Sequence, residues 1–169
     1  SHVLRADEWL SSTPKHLLLY RALGYEPPHF CHLPLILGPD RARLAKRHGA
    51  TSVLDYRDTG YLPEVMVNFL ALLGWNPGDE QEMFKLEELV DIFSPERINK
   101  SGSRFNIDKA KWFNQQYMIK ADDARLARLV RPILEANGQQ PSDAFVEGFV
   151  SLMKERAVTL PDFWENGYY

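Results

Sequence analysis

Sulfur chemistry is nearly absent. The chain has one cysteine, Cys31, so it closes no internal disulfide, and a reducing, cytoplasmic setting is expected. Long hydrophobic runs are missing as well. The longest, residues 65–73, is interrupted by Asn68 and falls well short of the about 20 residues that cross a bilayer, so no membrane partner is expected. No charged start leads into an apolar stretch, so no signal peptide is expected in these residues. Positive charge is in the minority: 20 Lys and Arg against 23 Asp and Glu leave a net −3. That balance argues against binding nucleic acid with the whole surface, while local basic patches remain possible. There is no Gly-x-Ser-x-Gly, no Walker-type glycine loop and no His-Glu-x-x-His. The chain does not open on methionine, Val3 and Leu4 read as a strand already under way, and residues 163–169 are rich in aromatics. A piece of a longer protein is therefore expected.

What is present suffices for a packed core. Of 169 residues, 44% are hydrophobic, enough for one ordinary domain or two small ones. Residues 2–5 read as a strand and 6–10 as a helical turn. Thr13 is read as the N-cap of a helix with Pro14 at its first position, ending at Gly24. Residues 30–37 read as one buried strand. A short helix is predicted over 52–59. A helix over 63–73, apolar nearly all round, is expected to be buried. Leu86, Leu89, Val90 and Phe93 mark an amphipathic helix, and further helices are predicted over 108–117, 121–136 and 142–156 and from 160 onward. The fold class is mainly α with a small α/β part, divided into residues 1–59 and 60–169.

Several groups of residues point to chemistry. Residues 41–49 hold Arg41, Arg43, Lys46 and Arg47 directly after the strand, and Gly49 lets the loop close tightly. Such cations can neutralise a polyanion, with lysine as a mobile point charge and arginine as a donor fork; an exposed basic turn is the plain alternative. Arg5, Glu8 and Trp9 follow the first strand, where ligands of open α/β sheets bind, although an ion pair and simple packing would also explain them. Arg97, Lys100, Arg104, Lys109 and Lys111, interleaved with Phe105 and Trp112, suit either a nucleic-acid backbone or a solvated face. His29, Cys31 and His32 have the wrong spacing for zinc, and no metal site is expected. Ser11, Ser12, Thr13 and His16 read as capping rather than as a nucleophile and its base.

Taken together, these stretches resemble the second half of a bacterial-type glutamyl-tRNA synthetase, a class I enzyme. The resemblance runs through residues 1–16, Leu33-Pro34-Leu35-Ile36-Leu37, residues 44–53, Gly60-Tyr61-Leu62-Pro63-Glu64 and residues 68–75. It implies the end of a class I Rossmann-type catalytic domain over 1–59, followed by an all-α stem-contact helical region over 60–169. Arg43-Leu44-Ala45-Lys46-Arg47 stands at the family's second signature, usually Lys-Leu-Ser-Lys-Arg. Lys46 and Arg47 would act on ATP phosphates in catalysis, with Arg43 beside them; Ala45 replaces a serine hydroxyl that helps fix the loop. Leu35 and Ile36 would border the adenine and Glu8 would lie near the nucleotide. Arg5 would bind the glutamate carboxylate and Trp9 would line the same pocket. Arg97, Lys100, Arg104, Lys109 and Lys111 would meet tRNA. The implied partners are L-glutamate, ATP with its Mg2+, and tRNA-Glu, for a monomer in the cytoplasm.

The family's first signature, of the His-Ile-Gly-His type, does not occur in these residues. The chain alone is therefore expected to be inactive. A non-catalytic tRNA-binding module is the alternative. Truncated paralogues that glutamylate queuosine lack the helical part after residue 60, which counts against that third reading.

Overall fold

β1 (His2–Ala6) runs parallel to β2 (His29–Leu33), with a 3-10 turn (Asp7–Ser12) and α1 (Thr13–Ala22) between them. This is a computed structural model, and it describes residues 1–45, 47, 49 and 52–167. Lys46, the residue singled out above in the signature loop, lies outside the described residues, as do His48, Ala50, Thr51, Tyr168 and Tyr169.

Thr13 does not cap α1. The 3-10 turn runs straight into the helix, so the capping position falls on Ser12, which already has helical backbone angles and makes no side-chain cap bond. The Thr13 hydroxyl is engaged elsewhere, as described below. The predicted strand over 30–37 is two strands. Pro34 has no N–H for a ladder, β2 stops at Leu33, and β3 (Ile36–Leu37) pairs instead with β4 (Ser103–Arg104), again in parallel. Gly102 permits this approach: a Cβ there would stand 2.9 Å from the Leu35 carbonyl oxygen. Nor is this segment buried. Among residues 1–37 no side chain is fully buried, and Leu18, Leu19 and Leu23 of α1 are 63%, 57% and 59% exposed.

The core lies in the helical part. Between β3 and β4 come α2 (Val53–Asp58), α3 (Pro63–Gly74) and α4 (Leu86–Ile92); after them α5 (Ile107–Lys120), α6 (Asp123–Ala136), α7 (Asp143–Met153) and α8 (Asp162–Glu165). The helix starts are locally encoded. Ser52 and Asp55 form a capping box on α2. Asn106, Asp122 and Ser142 accept backbone N–H bonds at the starts of α5, α6 and α7. Val65, Phe113, Leu126, Val130, Val146 and Phe163 meet in one cluster. Two expectations are corrected here. α3 is not buried all round, since Val67 and Leu70 face outward, 44% and 40% exposed. α4 buries only Leu89 of its apolar stripe, in a satellite cluster with Trp75 and Phe84; its seven residues present too little surface for Leu86, Val90 and Phe93 to be covered as well. No helix among the described residues is long and apolar enough to cross a membrane.

Two asparagines are fully buried, and each is a clamp. Asn68 accepts from the Phe84 N–H and donates to the Glu82 carbonyl, both at 2.7 Å, which straps residues 82–84 onto α3. Asn114 accepts from the Leu62 N–H at 2.9 Å and donates to the Val158 carbonyl at 2.6 Å, so α5 joins the start of α3 to the segment before α8.

Glu64 of α3 takes a bidentate pair of bonds from Arg125 of α6, at 2.6 and 3.0 Å. Burial alone would raise the Glu64 carboxyl. The Arg125 fork, a backbone bond and the Arg125 charge outweigh burial and hold its pKa below the ordinary glutamate value. A depressed carboxylate contributes stability above its unfolded pKa and loses that contribution as pH falls through the folded one. Glu64→Gln is therefore expected to unfold about 1 kcal/mol more easily at pH 7, the partly exposed pair setting the size. The difference closes as the pH falls below about 4.3, which urea titrations at several pH values would show.

Candidate functional site

The basic loop grows out of β3 as a tight reversal. The Gly38 N–H donates to the Ala42 carbonyl at 2.8 Å, the Arg41 N–H to the Gly38 carbonyl at 3.0 Å, and the Leu44 N–H to the Ile36 carbonyl at 2.8 Å. Leu37 and Arg43 form an antiparallel bridge. The Asp40 carboxylate accepts from the Ala42 N–H at 2.9 Å, an Asx turn that supports the bend. At its tip Arg41 has φ of 62°, an uncommon conformation for a residue with a side chain. The reversal sends Arg43 back along the strand, so its guanidinium faces the segment that follows β1.

There Arg43 meets Glu8 through both terminal nitrogens, the longer contact being 3.4 Å. Arg47 lies 3.5 Å from Asp40. Both pairs are open to water, with Arg43 and Arg47 side chains 62% and 63% exposed, so each contributes little to stability and can be exchanged for a stronger anion. Carboxylates thus pair with Arg43 and Arg47 in water-exposed contacts.

Arg5 belongs to a separate cluster. Its Nε donates to His32 Nε2 at 3.2 Å, Nη1 to His16 Nδ1 at 3.0 Å and Nη2 to the Thr13 hydroxyl at 2.8 Å. The Thr13 hydroxyl in turn donates to the Trp9 carbonyl at 3.2 Å and lies 3.1 Å from His32 Nε2. The guanidinium carbon stands 4.8 Å from the Phe30 ring centre and 5.9 Å from that of Trp9. Arg5 and Trp9 are therefore close to one another, and Arg5, but not Trp9, lines a cavity of about 430 Å³ with His16 and Tyr20. Pairing of β1 with β2 sets Arg5 opposite His32, and His16 reaches Arg5 from the first turns of α1. The sequence reading missed both histidines as partners of Arg5. The one available signal was the register of two strands not yet known to pair. His29, grouped with His32 in the sequence, instead stacks on His2 with ring centres 5.0 Å apart.

Leu35 and Ile36 line a third place, an apolar cavity of about 270 Å³ shared with Leu4, Leu70 and Trp75. The cations of 97–111 differ in their partners. Arg97 donates to the Pro77 carbonyl. Lys109 donates to Glu82 at 2.6 and 2.7 Å and lies 4.6 Å from the Trp112 ring centre. Lys100, Arg104 and Lys111 are exposed. Arg104 and Lys111 line a cavity of about 560 Å³ together with Leu44 and Gly49 of the basic loop. Tyr61, which also lines it, has its phenol pushed up to about 12 by burial and by Tyr56 and Asp108, so it remains a donor at neutral pH.

Comparison with known proteins gives these positions a context. Residues 1–112 match the family described as tRNA synthetases class I (E and Q), catalytic domain. A glutamate–tRNA ligase of Dehalococcoides mccartyi is 49% identical over 171 residues, which takes in 98% of this chain and 35% of that protein. One from Moorella thermoacetica is 43% identical over 175 residues, covering all of this chain and 36% of the relative. Among solved structures, a glutamate tRNA ligase from Elizabethkingia meningosepticum, described as in complex with its amino acid, superposes with a TM-score of 0.87 at 37% identity. That match covers 99% of this chain and 37% of the other. The chain spans about a third of the length of the relatives it matches.

Proposed function

Since the chain belongs to the family of class I tRNA synthetases (E and Q), to whose catalytic domain residues 1–112 correspond, we propose that it is part of a longer glutamate–tRNA ligase. Within that protein it would supply the C-terminal part of the catalytic domain, residues 1–59, and a stem-contact region, residues 60–169. The observation that carries this reading is the meeting of Arg43 with Glu8. It brings the cationic loop to the segment that also holds Arg5 and Trp9, so a triphosphate and an amino-acid carboxylate can be received by neighbouring parts of the chain.

The chemistry follows from the charges. The α-carboxylate oxygen of glutamate attacks the α-phosphorus of ATP, which arrives with its Mg2+. An O–P bond forms, the α–β bridge breaks, and its electron pair leaves on pyrophosphate. Lys46 and Arg47, helped by Arg43, neutralise the charge gathering on that leaving group. Glu8, Leu35 and Ile36 border the nucleotide. Arg5 clamps a glutamate carboxylate and Trp9 walls its pocket. A terminal ribose hydroxyl of tRNA-Glu then attacks the activated carbonyl and releases AMP. No side-chain nucleophile is needed, because the barrier falls through positioning and charge stabilisation. Work as a cytoplasmic monomer belongs to the same proposal.

Two measurements test it. The isolated chain, holding one part of the site, is expected to show no ATP–pyrophosphate exchange with glutamate and tRNA supplied, and measurable exchange would refute the division of the site. For the stem-contact region, Lys100, Arg104 and Lys111 carry the tRNA contact, whereas Arg97 and Lys109 are held by protein partners. Removing Arg104 or Lys111 is expected to lower the slope of log K for tRNA against log salt by about 0.7 to 0.9 each. Arg97→Ala is expected to change the slope less.

A further inference from the structure

We propose that His16 and His32 are positioning residues for glutamate, holding Arg5 so that its guanidinium meets a carboxylate pre-aimed and at full charge. This rests on the reading of Arg5 as the carboxylate clamp. A guanidinium has five N–H donors and no acceptor. Three are engaged, one on Nε, one on Nη1 and one on Nη2. Subtraction leaves one N–H on each terminal nitrogen, the number a bidentate carboxylate takes. Other arginines with fork contacts among the described residues differ in kind: Arg43 is paired with Glu8, Arg125 with Glu64 and Arg131 with Asp143, so their charge is largely balanced. At Arg5 the partners are two imidazoles and a hydroxyl, which fix its orientation without cancelling its charge. Phe30 and Trp9 lie close to the same group. Ordering of a long side chain, which binding would otherwise have to supply, is thus completed beforehand.

Because arginine cannot accept, both histidines must. His16 accepts on Nδ1 and so carries its proton on Nε2; His32 accepts on Nε2 and carries its proton on Nδ1. The two imidazoles are therefore opposite tautomers while both bond Arg5.

The test uses the full-length ligase that contains this chain, with glutamate and ATP varied separately in pyrophosphate exchange. His16→Ala and His32→Ala are each expected to raise the KM for glutamate about tenfold, the scale of one hydrogen bond to a charged group. The KM for ATP and kcat should stay within about twofold. His16→Asn puts an amide oxygen where Nδ1 stood and His32→Gln puts one near Nε2; both are expected to recover most of the affinity. Nitrogen-15 spectra of labelled histidine should show the two opposite tautomers. If the alanine variants keep the parent KM for glutamate while Arg5→Ala loses it, the positioning role is refuted and the clamp stands. If Arg5→Ala also keeps it, the clamp itself fails. Equal losses for glutamate, ATP and kcat would mark a merely structural role and overturn the proposal.

Discussion

Replacing Lys46 with alanine in the longer ligase is expected to cut glutamate-dependent pyrophosphate exchange by about 10²- to 10³-fold, the usual loss when one group that stabilises transition-state charge is removed. The thermal midpoint should not move. In-line attack at the α-phosphorus builds negative charge on the departing pyrophosphate, and a lysine ammonium can follow that charge as it shifts. Arg43→Ala gives the contrast. Arg43 is already paired with Glu8 in an exposed contact, so part of its charge is balanced and a smaller loss is expected, about tenfold. Equal losses at the two positions would place the work on the total charge of the loop rather than on Lys46. Ala45 adds a further comparison. It stands where the resemblance implies a serine, and Ala45→Ser is expected to leave kcat unchanged or raise it, by giving the loop a hydroxyl that helps fix it.

The largest expected effect on stability falls on Asn114. Its side chain is fully buried and satisfies the Leu62 N–H and the Val158 carbonyl at once. Asn114→Ala leaves the buried Leu62 N–H and the half-buried Val158 carbonyl unpaired, at about 1–3 kcal/mol for a buried group and less for the other, so about 3 kcal/mol is expected in equilibrium urea unfolding. Asn114→Asp separates the two bonds: the carboxylate still accepts from Leu62 but cannot donate to Val158, and it buries a charge besides. It should be at least as harmful as alanine. A loss below about 1 kcal/mol for both variants would mean that residues 60–62 and 158 are held by other contacts.

Some of this architecture is legible in the sequence and some is not, for physical reasons. α3, α5, α6 and α7 could be read because their starts are written locally, in Pro63, Asn106, Asp122 and Ser142, and because their apolar residues recur at helical spacing. The basic loop could be read as a cationic turn after a strand, since charge density and Gly38-Pro39-Asp40 are local signals. β4 could not: two residues, Ser103 and Arg104, carry no periodicity, and their strand exists only because Ile36 and Leu37 lie beside them. Asn68 reads as a polar interruption of an apolar run and nothing local marks Asn114, whereas the role of both lies in backbone groups of other segments. Thr13 looked like a cap because it precedes proline. The partners its hydroxyl found come from elsewhere: Arg5 from β1, the Trp9 carbonyl from the turn after it and His32 from β2. The Arg5 cluster was half legible: Arg5 and Trp9 are close in sequence, while His32 joins them only through strand register.

The most direct test of the central claim is tRNA charging by the full-length protein that contains this chain, with labelled glutamate and labelled glutamine offered separately. Transfer of glutamate to tRNA-Glu, strongly reduced by Lys46→Ala and slowed by Arg5→Ala through the KM for glutamate, is the expected result. Transfer of glutamine instead, or no ATP-dependent transfer of either amino acid by a correctly folded protein, would contradict it.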